Sequence, residues 1–406
     1  MKLSSFIPAL QWSRHYQKAW LRPDLMAGLT VGVMLIPQAM AYALLAGMPP
    51  IYGLYASTLP LLIYALLGTS RQLSVGPVAM IALLTAAGIG SLAQSGSTEY
   101  ISMAILLALM AGILQFGFGL FRLGFVVNFL SRPVISGFTS AAGLIIFFSQ
   151  LKHLFGLQIP RTGYIHQILI AIFEQADAIH YLSLGVGLLA ILIIALLKRF
   201  KPAIPGPLVV VILGIVATYL FELDQFGMQV VGAVPEGLPS LASPNVSIEA
   251  IKTLFPTALA IAMLSFMQSI AAGKALQLRH RDYDIRPNQE LIAIGFANIG
   301  SALAQGFPVA GGFARSAVND QAGAKTGLAS FISALIVILS LLFLTPIFFF
   351  LPNTILAAII MYAAIGLVNI QSARKLWNTY RTDFWLLLST FAATLSLGIE
   401  EGIGVG

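Results

Sequence analysis

Thirteen apolar runs dominate the chain, and the first twelve hold no Asp or Glu in their interiors. They cover roughly residues 25–46, 51–68, 76–94, 100–121, 124–150, 180–197, 204–221, 252–273, 288–304, 312–321, 326–350, 353–370 and 383–399. A helix that spans a bilayer needs about 20 mostly apolar residues. Lipid cannot hydrogen-bond an exposed backbone, so runs of this length must fold as helices. The expected fold class is therefore an all-α polytopic membrane protein. Composition agrees: 58% of the 406 residues are hydrophobic and 9% are charged, against about 25% charged in soluble domains. A fourteenth run starts at Glu401 and is cut at Gly406. There is no cysteine, which excludes disulfides and thiolate metal sites.

Charge placement orients the spans. Residues 1–23 lack a long apolar core, and Trp12, Arg14, His15, Lys18, Trp20 and Arg22 read as an interfacial segment and not as a signal peptide. If the spans alternate, Arg14, Lys18, Arg22, Arg122, Arg132, Lys198, Arg199, Lys201, Lys274, Arg279, Arg281, Arg286, Arg374, Lys375 and Arg381 all fall on one side. That side, with the N-terminus, is cytoplasmic. The other side holds Glu99, Glu174, Asp177, Glu222, Asp224, Glu236 and Glu249 against Lys152, Arg161 and Lys252.

The first span, LTVGVMLIPQAMAYALLAG, is echoed about 230 residues later by TALAIAMLSFMQSIAAGKAL, with Gln38 and Gln268 at the two centres. One hairpin after each comes a broken segment: TSRQLSVGPVAM (Thr69–Met80) and GFPVAGGFARSAVN (Gly306–Asn319). An odd number of spans separates the copies, so their orientations are opposite. The expected organisation is residues 24–222 as a first transmembrane repeat, 223–250 as an extracytoplasmic loop and 251–406 as a second repeat. Paired broken segments at corresponding positions point to a transporter binding site.

Gly76-Pro77 and Gly311-Gly312 are each read as a short extended run feeding a half-helix. A half-helix N-terminus offers free N–H groups and a partial positive charge. Two such ends, with Arg315 inside the second segment, make a cradle for an anion. An intramembrane charge is costly and marks a functional site by default. The polar liners are Gln38, Tyr42, Ser265, Gln268 and Ser269. Without a buried carboxylate they suit a neutral or anionic ligand better than a proton or sodium ion. Tight helix packing at the glycines, interhelical hydrogen bonds from Gln38 and Gln268, and a helix-end contact from Arg315 are the structural alternatives. His153, His166 and His180 lack metal-ligand spacing and are read as surface residues.

At these residues the chain resembles the SulP anion permeases, the sulfate transporter family with prestin-like relatives. PIYGLYASTLPLLIYALLGTSR (Pro50–Arg71) fits the family signature, and LIPQAMAYALLAG, RQLSVGPVA, NQELIAIGFANIGSAL and FARSAVNDQAGAKTGLA are similar to family segments. The resemblance implies a seven-plus-seven inverted repeat with broken half-helices as spans 3 and 10. Spans 1–4 and 8–11 would form a core domain, and spans 5–7 and 12–14 a gate domain. It implies an elevator-type movement, and a substrate pocket at Met34, Gln38, Tyr42, Val78, Ala79, Gly312, Phe313, Ala314 and Arg315. Ser265 and Gln268 are coupling or pocket candidates.

Gln268 stands where many relatives carry Glu, which puts proton or cation coupling in doubt, and Ala314 replaces a common Ser. The family also completes span 14 and adds a cytoplasmic STAS domain, neither of which is expected within these residues. The expected function is secondary active transport of an inorganic anion, foremost sulfate, across a bacterial inner membrane. Alternatives are bicarbonate or chloride/bicarbonate transport, dicarboxylate transport, an uncoupled anion conductance, or a non-transporting motor or scaffold. A nucleobase permease would want acidic residues near the half-helices. No nucleotide loop, catalytic triad or metal cluster suggests an enzyme, a cofactor or a metal site. Expected partners are a small anion, the bilayer and, as in many relatives, a second copy of the chain; nucleic acid is not expected.

Overall fold

The computed structural model describes residues 6–128, 132–159, 164–201, 204–235, 237–240, 247–280 and 283–396. Arg161, Glu236, Arg281 and the fourteenth run with Glu400 and Glu401 lie outside the described residues. In chain order, α1 (Ala9–Arg14), α2 (Lys18–Ala46), α3 (Ile51–Tyr55), α4 (Leu59–Leu67), strand β1 (Val75–Gly76), α5 (Ala79–Gly90) and α6 (Thr98–Leu120) come first. Then follow α7 (Arg132–Ser149), α8 (Leu151–Phe155), α9 (Ile165–Glu174), α10 (Tyr181–Phe200) and α11 (Gly206–Phe221). The second part holds α12 (Ile248–His280), α13 (Pro287–Leu303), strand β2 (Ala310–Gly311), α14 (Phe313–Gln321), α15 (Leu328–Phe343), α16 (Asn353–Ile365), α17 (Ile370–Thr379) and α18 (Arg381–Ser396). The order helix, helix, two-residue strand, short helix, long helix thus occurs twice.

The chain forms two compact units, each made of two separate stretches. One comprises residues 1–127 and 235–344, the other 128–234 and 345–406. This is the division into spans 1–4 with 8–11, and spans 5–7 with the later ones, that the resemblance implies. In the second unit the Thr354 hydroxyl donates to the Ser183 carbonyl at 3.0 Å, joining α16 to α10. Leu188, Leu189 and Leu192 of α10 and Leu213 and Tyr219 of α11 are exposed. Such broad apolar faces suit lipid and not water.

Several spans are shorter or more broken than their hydropathy suggests. Among the described residues six helices are long and apolar enough to cross a membrane, and others are short apolar helices. The second run breaks between α3 and α4. There Ser57 and Thr58 turn their hydroxyls back to the carbonyls of Gly53 (2.8 Å) and Tyr55 (2.7 Å), and such local bonds compete with the helix ladder. The eleventh run ends its α-helix at Phe343 and continues as a 3-10 turn over Thr345–Phe350, which contains Pro346. The twelfth ends at Ile365, and the polar α17 follows it. The expected boundary at residue 23 falls inside α2, which already begins at Lys18.

Two carboxylates at span ends are wholly buried, a feature hydropathy does not show. Asp24 accepts hydrogen bonds from the backbone of Lys325 (2.7 Å) and Thr326 (3.0 Å), and from the hydroxyls of Thr326 (2.6 Å) and Tyr16 (3.3 Å). It thereby ties the start of span 1 to the turn after α14. Glu290, in the first turn of α13, accepts from the Tyr64 hydroxyl at 2.7 Å and the Thr69 N–H at 2.6 Å. The Thr69 hydroxyl also donates to it. A negative charge there is favoured by the helix dipole.

Removing the Glu290 carboxylate orphans buried donors at about 1–3 kcal/mol each. Glu290→Ala should therefore lower stability by roughly 2–5 kcal/mol, whereas Glu99→Ala should change it by less than about 0.5 kcal/mol. Thermal unfolding of the purified protein in detergent checks this; equal midpoints for the two variants would contradict it.

Candidate functional site

Both halves of the site begin where a chain at membrane depth leaves helical geometry. β1 and β2 pair antiparallel, with Val75 opposite Gly311 and Gly76 opposite Ala310. The two broken segments therefore satisfy part of each other's backbone, which lipid could not do. Antiparallel pairing sends the chain out of this short ladder in opposite directions. α5 starts three residues beyond Gly76 and α14 two residues beyond Gly311, so the two helix N-termini lie at the two ends of a two-residue ladder. Their N-cap residues, Val78 and Gly312, are extended and give no side-chain cap. The first N–H groups of each half-helix have no intrahelical acceptor, and they carry the positive end of the helix dipole.

α14 is stitched to the first broken segment along one face. The Gly312 N–H donates to the Ser74 carbonyl at 3.0 Å. The Ser74 N–H donates to the Ser316 hydroxyl at 2.9 Å, and the Asn319 amide donates to the Gln72 carbonyl at 2.9 Å. Residues i, i+1 and i+4 of a helix share a side, so Arg315 is carried toward the same segment. At the far end of α14, Asp320 accepts from Arg279 at 3.1 Å and from His280. The Arg279 guanidinium offsets an acidic residue placed at the unfavourable end of the helix dipole.

The Arg315 side chain is 1% exposed. Its Nη1 donates to the Pro77 carbonyl at 2.6 Å and makes a long contact of 3.4 Å with Gln38 Oε1. Its Nε and Nη2 are buried and have no partner among the described residues. No described carboxylate bonds to it. The guanidinium lies over two glycines: a Cβ on Gly312 would stand 3.0 Å from Nη2, and one on Gly76 would stand 3.2 Å from it. Gln38 in turn donates to the Tyr42 hydroxyl at 3.3 Å. A fixed cation with unused donors beside two uncapped helix N-termini can hold an oxyanion or halide.

The structure thus brings Gln38, Tyr42, Gly312 and Arg315 together, with Val78 and Ala79 opening α5 beside Pro77. Met34 is buried one turn before Gln38. Phe313 and Ala314 are exposed in the first turn of α14. Ser265 does not face this cluster: its hydroxyl bonds to Gln115. Gln268 is half-buried, and its Oε1 has no partner among the described residues. Ser269 supports the second strand, accepting from the Gly311 N–H at 2.7 Å. Ser316 and Asn319 were not singled out in the sequence; their spacing from Arg315 along one helical face was the available signal.

The family model for the sulfate permease family matches residues 21–390. The chain belongs to the sulfate permease family. It is 41% identical over 413 aligned residues to sulfate transporter 4.1, chloroplastic, of Arabidopsis thaliana, covering 100% of this chain and 60% of that protein. The described architecture also matches solved structures. SLC26A9 superposes with a TM-score of 0.93 at 30% identity, covering 99% of this chain and 67% of that one. The transmembrane domain of the cyanobacterial bicarbonate transporter BicA superposes with a TM-score of 0.83 at 24% identity, covering 96% and 98%; at that identity the likeness is one of fold. The resemblance read from the sequence motifs is borne out, as is the all-α polytopic membrane fold.

A methyl group at Gly312 must displace the guanidinium, because the Cβ would also stand 3.1 Å from Cζ. Gly312→Ala should weaken anion binding by roughly tenfold, and Gly76→Ala, whose Cβ would be 3.7 Å from Cζ, by less. Titration calorimetry with sulfate checks the order; unchanged affinity in Gly312→Ala would contradict the geometry.

Proposed function

We propose that this family member is a secondary active transporter of inorganic anions, with sulfate as the foremost substrate. The observation that carries the reading is the buried Arg315, held at one nitrogen by the Pro77 carbonyl while Nε and Nη2 have no partner among the described residues. A desolvated cation with no carboxylate beside it favours an anionic ligand, and two helix N-termini add to the same field. A tetrahedral oxyanion has enough acceptor oxygens to take both free guanidinium nitrogens and backbone N–H groups. The relatives named as sulfate transporters support sulfate within that class.

Met34, Gln38, Tyr42, Val78, Ala79, Gly312, Phe313, Ala314 and Arg315 form the proposed pocket, and Gln268, whose Oε1 has no partner among the described residues, is kept as a proposed coupling or pocket residue. Span 1 and both half-helices belong to a single compact unit. That supports elevator-type alternating access, in which the unit carrying the anion moves as one body. The proposed setting is a bacterial inner membrane with the N-terminus cytoplasmic, in keeping with the basic loops. The plant relatives extend well beyond the 60% that this chain spans, and a homodimer belongs to the same proposal.

The test is uptake of radiolabelled sulfate into proteoliposomes holding the purified protein. Uptake is measured with an inward proton gradient, a sodium gradient and no gradient, with bicarbonate, chloride and succinate as competitors. The expected result is saturable sulfate uptake that falls at least about tenfold in Arg315→Ala. Uptake of a competing anion instead of sulfate would replace the substrate. Flux that rises without saturating would replace the carrier by a conductance.

A further inference from the structure

In the segment that feeds α14, residues 306–311, only Ala310 and Gly311 have a strand partner among the described residues. The Gly306 N–H donates to the Ser301 carbonyl at 2.6 Å, and beyond it buried side chains bond the backbone at every second residue, Phe307, Val309 and Gly311. The Ser301 hydroxyl donates to the Phe307 carbonyl at 2.7 Å. Ser269 accepts from the Gly311 N–H at 2.7 Å. Between them, Asn298 holds Val309 from both sides of its backbone. Asn298 Oδ1 accepts from the Val309 N–H at 2.8 Å, and Nδ2 donates to the Val309 carbonyl at 3.2 Å. This pair of bonds is what a neighbouring antiparallel strand would supply.

Asn298 is itself held in one amide orientation. Its Nδ2 also donates to Gln115 Oε1 at 2.9 Å. Gln115 Nε2 is committed in the other direction, to the Ala262 carbonyl at 2.9 Å and to the Ser265 hydroxyl. Asn298, Gln115 and Ser265 are each 0% exposed. α6 and α13 reach this proximity because glycines face each other where they cross. A Cβ on Gly112 would lie 2.7 Å from the Gly295 carbonyl oxygen, and one on Gly295 would lie 2.7 Å from the Phe116 nitrogen. This close crossing lets Gln115 and Asn298 reach each other between the two helices.

We propose that Asn298, oriented by Gln115, is a positioning residue for the anion site. It acts as a substitute strand that fixes Val309, and through the four residues that follow it fixes the N-terminus of α14 and the root of Arg315. The inference rests on the anion-site reading above. Small displacements of binding groups cost large factors in affinity. The proposal therefore concerns affinity, and stability alone does not decide it.

The test compares three variants of the purified protein: Asn298→Ala, Arg315→Ala and Ser333→Ala. Ser333 is a control, since its buried hydroxyl donates to the Gly28 carbonyl at 3.0 Å, remote in sequence from both strands. For each variant the unfolding midpoint is measured without anion. Dissociation constants are measured by titration calorimetry with sulfate, hydrogencarbonate and chloride. Asn298→Ala is expected to raise the dissociation constant of the bound anion by roughly tenfold, while Ser333→Ala leaves it within about twofold at a comparable loss of midpoint. If Asn298→Ala does not fold, Gln115→Leu replaces it; it leaves Asn298 in place but frees its amide, and is expected to raise the constant about threefold. An unchanged constant in the variant at Asn298 or Gln115, or an equal rise in Ser333→Ala, overturns the positioning role. Affinity lost in Arg315→Ala but kept in Asn298→Ala overturns this proposal alone. Unchanged affinity in Arg315→Ala, or no binding by the parent protein, overturns the site reading and this proposal together.

Discussion

Backbone that leaves the helix inside a bilayer must find its hydrogen bonds within the protein, and here the two broken segments find part of theirs in each other. The pairing of Val75 with Gly311 and of Gly76 with Ala310 sets the rest of the site. It brings two uncapped helix N-termini together and leaves their N–H groups without intrahelical acceptors. It also carries Arg315 back across the glycines of both segments. Without side chains at Gly76 and Gly312 there is room for a guanidinium between the ladder and Gln38.

The charge balance follows from that geometry. A buried guanidinium is costly unless something offsets its lost hydration. The Pro77 carbonyl offsets part of the loss at Nη1, and the Gln38 contact is long. The other nitrogens carry unused donors. Elsewhere in the same unit the buried carboxylates are engaged with hydroxyls and backbone N–H groups at span ends, as at Asp24 and Glu290. The buried carboxylates are thus taken up in loop anchoring, and the unused guanidinium donors are left at the half-helices.

The membrane class, the paired interruptions and the lone arginine were legible in the sequence because each departs from a simple expectation. Long apolar runs exclude a soluble fold. Gly-Pro and Gly-Gly inside an apolar run disfavour continuous helix, and one charge in an apolar segment stands out. The supports were less legible. Ser269, Asn298, Ser301, Ser316 and Asn319 are small polar residues inside helices, and a sequence does not say whether such a side chain meets a neighbour's backbone or its own. The same ambiguity hid the breaks at Ser57-Thr58, where hydroxyls turn back on their own helix. The anchoring role of Glu290 was not legible because its partners, Tyr64 and Thr69, lie more than 220 residues earlier in the chain.

The most direct measurement is the position of a heavy analogue of sulfate in the protein. Crystals or vitrified particles prepared with selenate would locate the anion through its selenium. The account predicts a single strong peak within hydrogen-bonding reach of Arg315 Nε or Nη2 and of the first N–H groups of α5 and α14. A peak elsewhere, or a guanidinium whose free nitrogens are taken up by protein groups while selenate is bound, would contradict it.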